Sequence, residues 1–222
     1  SLKSFRFKSK SVRTYGNSLF FRSFLFTFEK TSQRDPMKTK DRIVLVSIDL
    51  FNRDGVVPVT TNHIAKKLGI SPGNLYFHFS NKEEIIRQIF KMMCTEIYAL
   101  WRTKKAQKMA HPLDLIEKTL EICWRYRFFF RESYYLRHKD AQMGKLWKAH
   151  IQKCLKLMEL MYKRWLKAGW MTPIKTKDEI SFLVTMILST ASTFMQFYES
   201  AEKLPSRQHV AEGKRYIARL LV

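Results

Sequence analysis

Between Thr60 and Glu84 the chain reads "TTNHIAKKLGISPGNLYFHFSNKEE", and three residues of this stretch can each open a helix. Thr60, Ser71 and Asn81 carry short polar side chains whose oxygen accepts a backbone N–H left free at a helix start. Pro72 follows Ser71, at the first helical position, where its missing N–H is no loss. Glu84, three residues beyond Asn81, completes a capping-box-like pattern. Gly69 stops the helix opened at Thr60, since glycine tolerates the left-handed backbone that ends helices. Two short helices joined by a glycine turn, with a third starting at Asn81, follow from these marks alone.

Helix, short glycine turn, helix is the helix-turn-helix pattern. In the first of the pair, Ile64, Ala65 and Leu68 are the apolar positions, and the small side chain of Ala65 lets the two helices cross closely. In the second, from Pro72 to Phe79, a rotation of about 100° per residue puts Leu75 and Phe79 on one face, with Pro72 beside them. Gly73, Asn74, Phe77 and His78 point the other way, and Tyr76 lies on the flank. The opposite face is small or polar near its start, a shape suited to close approach to something flat and polar. A further helix precedes the pair from Thr39, with Ile43, Val46, Leu50 and Phe51 at helical spacing and Gly55 at its end.

After Asn81 the pattern remains helical. Only seven glycines and six prolines occur in 222 residues, which favours long helices over a turn-rich sheet protein. Ile85, Ile86, Ile89, Phe90 and Met93 begin a long connecting helix that continues towards Trp101. Pro112 opens another, with Leu113, Ile116, Leu120 and Trp124 on one face, ending near the aromatic-basic cluster "YRFFFRE". From Asp140 a regular helix carries Met143, Trp147, Ile151, Leu155, Met158, Tyr162 and Trp165 before Gly169. Thr176 and Glu179 mark another capping box ahead of the run Ile180 to Met195. That run is uncharged but interrupted by Ser and Thr, so it reads as a helix buried between other helices and not as a membrane span. Ser206 can start a last helix with Val210, Ile217 and Leu221.

The net charge of +22 points to a polyanionic partner, nucleic acid first and an anionic membrane surface second. Residues 1–36 differ from the rest, with seven of the 17 phenylalanines and eight Lys or Arg against two acids. Their Arg/Ser-rich, acid-poor composition superficially resembles an organelle transit peptide, but Arg22 breaks the apolar stretch and no small-residue cleavage site follows. They are expected to be an extension outside the core fold; a basic arm that tracks DNA is the alternative. Cys94, Cys123 and Cys154 lack metal-ligand spacing and lie in helical patterns, so they read as small core residues in a reducing compartment. No metal or cofactor is expected. An enzyme is disfavoured for want of a Gly-rich phosphate loop, a metal-spaced set or a nucleophile motif.

"VTTNHIAKKLGISPGNLYFHFSNKEEII" resembles the helix-turn-helix of the TetR family of bacterial transcriptional repressors, and the likeness extends from Met37 to about Phe90. The resemblance implies an all-α fold: residues 37–85 as a three-helix DNA-binding domain, and 86–222 as a helical bundle for ligand binding and dimerisation. It implies a cytoplasmic homodimer, paired through its last two helices, that binds a palindromic double-stranded DNA operator and is released by a hydrophobic small molecule.

The second helix of such a pair enters the major groove with its first residues against the base edges. Gly73 would let the backbone approach, and Asn74 carries the donor–acceptor pair suited to adenine. By resemblance, Thr61, Ser71, Tyr76, His78 and Lys82 hold phosphates, with Pro72 as a structural part of the site. Phe77 departs from the family, in which Tyr is usual; it loses a hydroxyl for phosphate but can pack against a thymine methyl. Tyr76 is also open to a core role, and His63 reads as a solvated surface residue. For the ligand pocket, Trp101, Trp124, Phe128 and Trp147 are candidate wall residues. Met158, Met161 and Phe194 join them, although aromatic and Met residues at this spacing also serve as plain core. The rival reading is a basic helical protein of membrane surfaces or of nucleic acid without sequence preference.

Overall fold

The computed structural model describes residues 38–102, 112–169 and 177–200, and among them it has nine α-helices and no strand. Helix α1 is Thr39–Asp54, α2 Thr61–Leu68, α3 Pro72–His78, α4 Lys82–Arg102 and α5 Pro112–Arg125. Two short helices, α6 at Phe128–Arg131 and α7 at Ser133–Lys139, lead into α8, Ala141–Lys167; α9 is Lys177–Ser200. The expected extension 1–36, the Thr176 cap and the last helix from Ser206 lie outside the described residues.

Each cap anticipated in the helix-turn-helix is formed. Thr60 Oγ1 accepts His63 N–H at 3.2 Å, Ser71 Oγ accepts Asn74 N–H at 3.1 Å, and Asn81 Oδ1 accepts Glu84 N–H at 2.8 Å. Gly69 has φ of 70°, in the left-handed region where a side chain would be strained. Two details differ from the sequence pattern. His63 is exposed at the surface, and in addition its Nδ1 faces the Thr60 amide at 3.4 Å and completes a capping box. The Glu84 carboxylate takes the amide of Ser80, at 2.8 Å, one residue upstream of the cap.

The apolar faces converge on one continuous core. Ile43 and Phe51 of α1, Ile64 of α2, Leu75 of α3 and Ile85 and Ile89 of α4 are all fully buried. The same core runs on through Leu120, Phe128, Phe129, Leu136 and Met158, so the boundary anticipated at 85/86 falls inside α4 between two buried isoleucines. The "YRFFFRE" cluster is where the chain turns. Phe128 and Phe129 are both fully buried, and the short helix α6 turns them towards two different partners. Phe128 then meets Phe51 with ring centroids 5.3 Å apart, and Phe129 meets Phe90 at 5.2 Å.

Helix α9 was expected to be buried between other helices, and within one chain it is covered on one side. It packs on α8 and α6, with Ile187 buried. Phe182 and Met186 stay exposed, at 68% and 40%, and Ser189, Thr193 and Gln196 continue the same exposed face. Ser181, Thr185, Ser189 and Thr193, which interrupt the run, are all exposed. One apolar face suffices to hold α9 to its neighbours.

Candidate functional site

The outward face of α3 is built by what its inward face buries. Leu75 and Phe79 are anchored in the core, so Gly73 and Asn74 are exposed and Phe77 stands 85% in solvent. Ser71 and Pro72 are exposed too, and His78 is half-buried with its ring 5.2 Å from Phe77. Tyr76 is half exposed and not a core residue. Its hydroxyl lies 3.0 Å from Thr61 Oγ1, joining α3 to the first turn of α2. One hydroxyl hydrogen of that pair bonds the other oxygen, which leaves the second free to donate outward.

Lys82 turns back towards the loop that precedes α2. Its ammonium donates to the carbonyls of Val56 and Val59, both at 2.8 Å, with Val57 O at 3.4 Å. Burial lowers its pKa from the ordinary lysine value, the nearby carboxylates of Glu83 and Glu132 opposing that shift. Its N–H donors therefore brace the loop between α1 and α2.

That loop is also gripped from the far half of the chain. The Glu132 carboxylate accepts the Val56 amide with oxygens at 3.0 and 3.1 Å, and Gly55 makes room for it. Gly55 has φ of 86°, and a Cβ there would come within 3.3 Å of Glu132 Oε1. Arg131 donates to Phe51 O at 2.7 Å. Asn52 closes the set: its amide donates to Arg125 O at 2.8 Å and its carbonyl accepts Phe128 N–H at 3.2 Å. No local pattern could have shown this, because the partners stand 73 to 80 residues apart. The only sequence signal is the presence of charged residues beside three phenylalanines.

A cavity of about 90 Å³ lies among α4, α5, α8 and α9. Three of the anticipated wall residues, Trp101, Trp147 and Met158, do line it. Phe128 and Met161 are core instead, fully buried or nearly so, and Trp124 sits half-buried with the Arg127 guanidinium 4.9 Å from its ring. The Phe194 side chain lies outside the described residues. Phe130, Thr119 and His150 were not anticipated, yet His150 follows Trp147 by three positions on the same stripe of α8 and could have been found by that spacing. The wall leads in two directions. Trp147 stacks on Phe90 of α4 at 5.2 Å, and Phe130 sits on α6 beside the residues that grip the α1–α2 loop.

Residues 43–89 match the family described as bacterial regulatory proteins, tetR family, and residues 84–222 match that described as bacterial transcriptional repressor. The chain is 25% identical over 91 residues to the HTH-type transcriptional regulator AcrR of Shigella flexneri, across 41% of this chain and 42% of that protein. It is 27% identical over 124 residues to QacR of Staphylococcus aureus, across 52% of this chain and 66% of the relative. The matched stretches thus span less than two thirds of either curated relative. A TetR-family transcriptional regulator from Marinobacter aquaeolei superposes with a TM-score of 0.73 at 30% identity, covering 84% of this chain and 90% of its own.

Proposed function

The chain belongs to the TetR family of bacterial regulatory proteins, and from that premise we propose that it is a ligand-responsive transcriptional repressor of the cytoplasm. Two copies hold a palindromic DNA operator with their α3 helices and release it when a small apolar molecule enters the cavity.

The observation that carries this reading is the outward face of α3. Asn74 and Phe77 project from a helix fixed by Leu75 and Phe79, and the hydroxyl pair of Thr61 and Tyr76 flanks them. A helix so placed can enter a major groove, with Asn74 offering a bidentate match to adenine and Phe77 an apolar contact to a thymine methyl. Thr61, Ser71, Tyr76 and His78 are left for phosphates, which fix register and carry no sequence information. Lys82 contributes by holding the loop. The net charge of +22 supplies the attraction to a polyanion that base contacts then refine.

Pairing and release follow from the other half. The exposed stripe of α9, from Phe182 to Gln196, is the face we assign to the partner copy. Drug-sized ligands occupy pockets of roughly 300–1,000 Å³, so such an effector must widen the cavity of about 90 Å³. Widening displaces Trp147 and Phe130, hence Phe90 on α4 and the grip of α6 on the α1–α2 loop. The effector then favours the arrangement that does not fit DNA, and operator DNA must weaken effector binding by the same factor.

The test is Asn74→Ala on an operator fragment and on random DNA. A loss of about 1–3 kcal/mol on the operator, with much less on random DNA, is expected of a base-reading residue. Equal losses on both would show that Asn74 reads no base.

A further inference from the structure

The cavity has an apolar wall with one ordered polar centre, at His150. The Tyr98 hydroxyl lies 2.9 Å from His150 Nδ1 and the Cys94 thiol 3.2 Å from the same nitrogen. Phenol and thiol are better donors than acceptors, and burial pushes the pKa of both upward, so each keeps its proton. With the Tyr98 phenol as the donor, Nδ1 is the acceptor and the ring proton sits on Nε2. The Cys154 sulfur is 3.7 and 3.6 Å from the two ring nitrogens, a long contact to a weak partner. Phe90 packs edge-on to the imidazole at 5.6 Å, and burial lowers the His150 pKa to about 4, so the ring is a neutral donor at pH 7.

On the reading that this cavity takes the effector, we infer that it selects an uncharged, mainly apolar molecule with one carbonyl acceptor, a ketone, ester or amide, and that the Nε2–H of His150 is the donor that reads it. Thr119 is engaged elsewhere: its hydroxyl donates to Leu115 O at 2.7 Å and accepts the Trp101 indole N–H at 2.9 Å. Cys123 and Cys154 are thiols, held protonated by burial with pKa values of about 12, and are weak partners. Among the described wall residues there is no Asp, Glu, Lys or Arg. A carboxylate or an ammonium placed there would be buried with no counter-charge on the wall, which is costly. The flat rings of Trp101 and Trp147 suit an aromatic or aliphatic body.

Four probes of similar size separate the claims: acetophenone, ethylbenzene, benzoate and benzyltrimethylammonium, with dissociation constants from ligand-observed NMR on the full chain. Acetophenone should bind roughly three- to tenfold more tightly than ethylbenzene, the span of one neutral hydrogen bond, and both ions more weakly than either. His150→Phe should erase the preference by weakening acetophenone alone, while His150→Gln, which keeps an N–H, retains part of it. Nitrogen-15 shifts of His150 in the unaltered chain give a reading independent of any variant's folding, and the Nε2–H tautomer is expected. Ethylbenzene binding as tightly as acetophenone, an ion binding best, or an Nδ1–H tautomer would overturn the inference and leave the effector cavity standing. Failure of all four probes to bind would overturn the effector cavity itself, and this inference with it.

Discussion

Glu132 and Val56 are 76 residues apart in the chain, yet both carboxylate oxygens of Glu132 lie within 3.1 Å of the Val56 amide nitrogen. Val56 is itself almost fully buried, so its N–H has little water to turn to. The bond ties the loop ahead of the helix-turn-helix to the segment that walls the cavity.

Glu132→Ala leaves that amide without its acceptor and removes the carboxylate beside Arg131. A buried donor left unsatisfied costs about 1–3 kcal/mol, so the urea midpoint should fall by that much within a single cooperative transition. The variant should still bind a cavity ligand but transmit less of its effect to operator affinity. An unchanged midpoint and unchanged coupling would mean that the bond neither stabilises nor relays.

Lys82→Ala separates a brace from a phosphate grip. Removing a cation that neutralises one DNA phosphate lowers the slope of log affinity against log salt by about one. Because the ammonium already serves the Val56, Val57 and Val59 carbonyls, the expected result is lower stability with the slope unchanged. A slope lower by about one, at unaltered stability, would return Lys82 to the DNA.

His150 sets an acid limit on stability. Its folded pKa is pushed down to about 4, first by burial and then by the charge of Lys153, while Cys94, Tyr98 and Cys154 face it as neutral groups. The unfolded chain takes up its proton near the ordinary histidine value of about 6.5. The stabilisation is therefore complete above pH 6.5 and is lost as pH falls towards 4, by about 3 kcal/mol at most. Urea midpoints at pH 7 and pH 4.5, compared with those of His150→Gln, check this. The variant should lose less stability on acidification, and equal losses would show that His150 is not the group responsible.

Much of the DNA-facing half was legible because its determinants are local. Thr60, Ser71, Asn81 and Gly69 act within four residues of themselves, and helical spacing alone separated buried Leu75 from exposed Phe77. The loop contacts of Lys82 were not legible, because a lysine at a helix start looks the same whether it points at solvent or back at a loop it meets only in three dimensions. The cavity was half legible for a related reason. Periodicity puts Trp147, Phe128 and Met161 on inward faces, but it cannot say which of these faces meets a void and which meets another ring. Only the fold brings Cys94 and Tyr98 of α4 to His150 of α8.

The most direct test of the account is selection of binding sites from a random DNA pool by the purified chain at physiological salt. The predicted result is one palindromic motif, its half-sites about 10 base pairs apart or a multiple of that, bound at least about 10³-fold more tightly than random sequence. Enrichment of no motif, with all affinity for DNA vanishing as salt is raised, would contradict it and leave a basic helical protein that holds nucleic acid by charge alone.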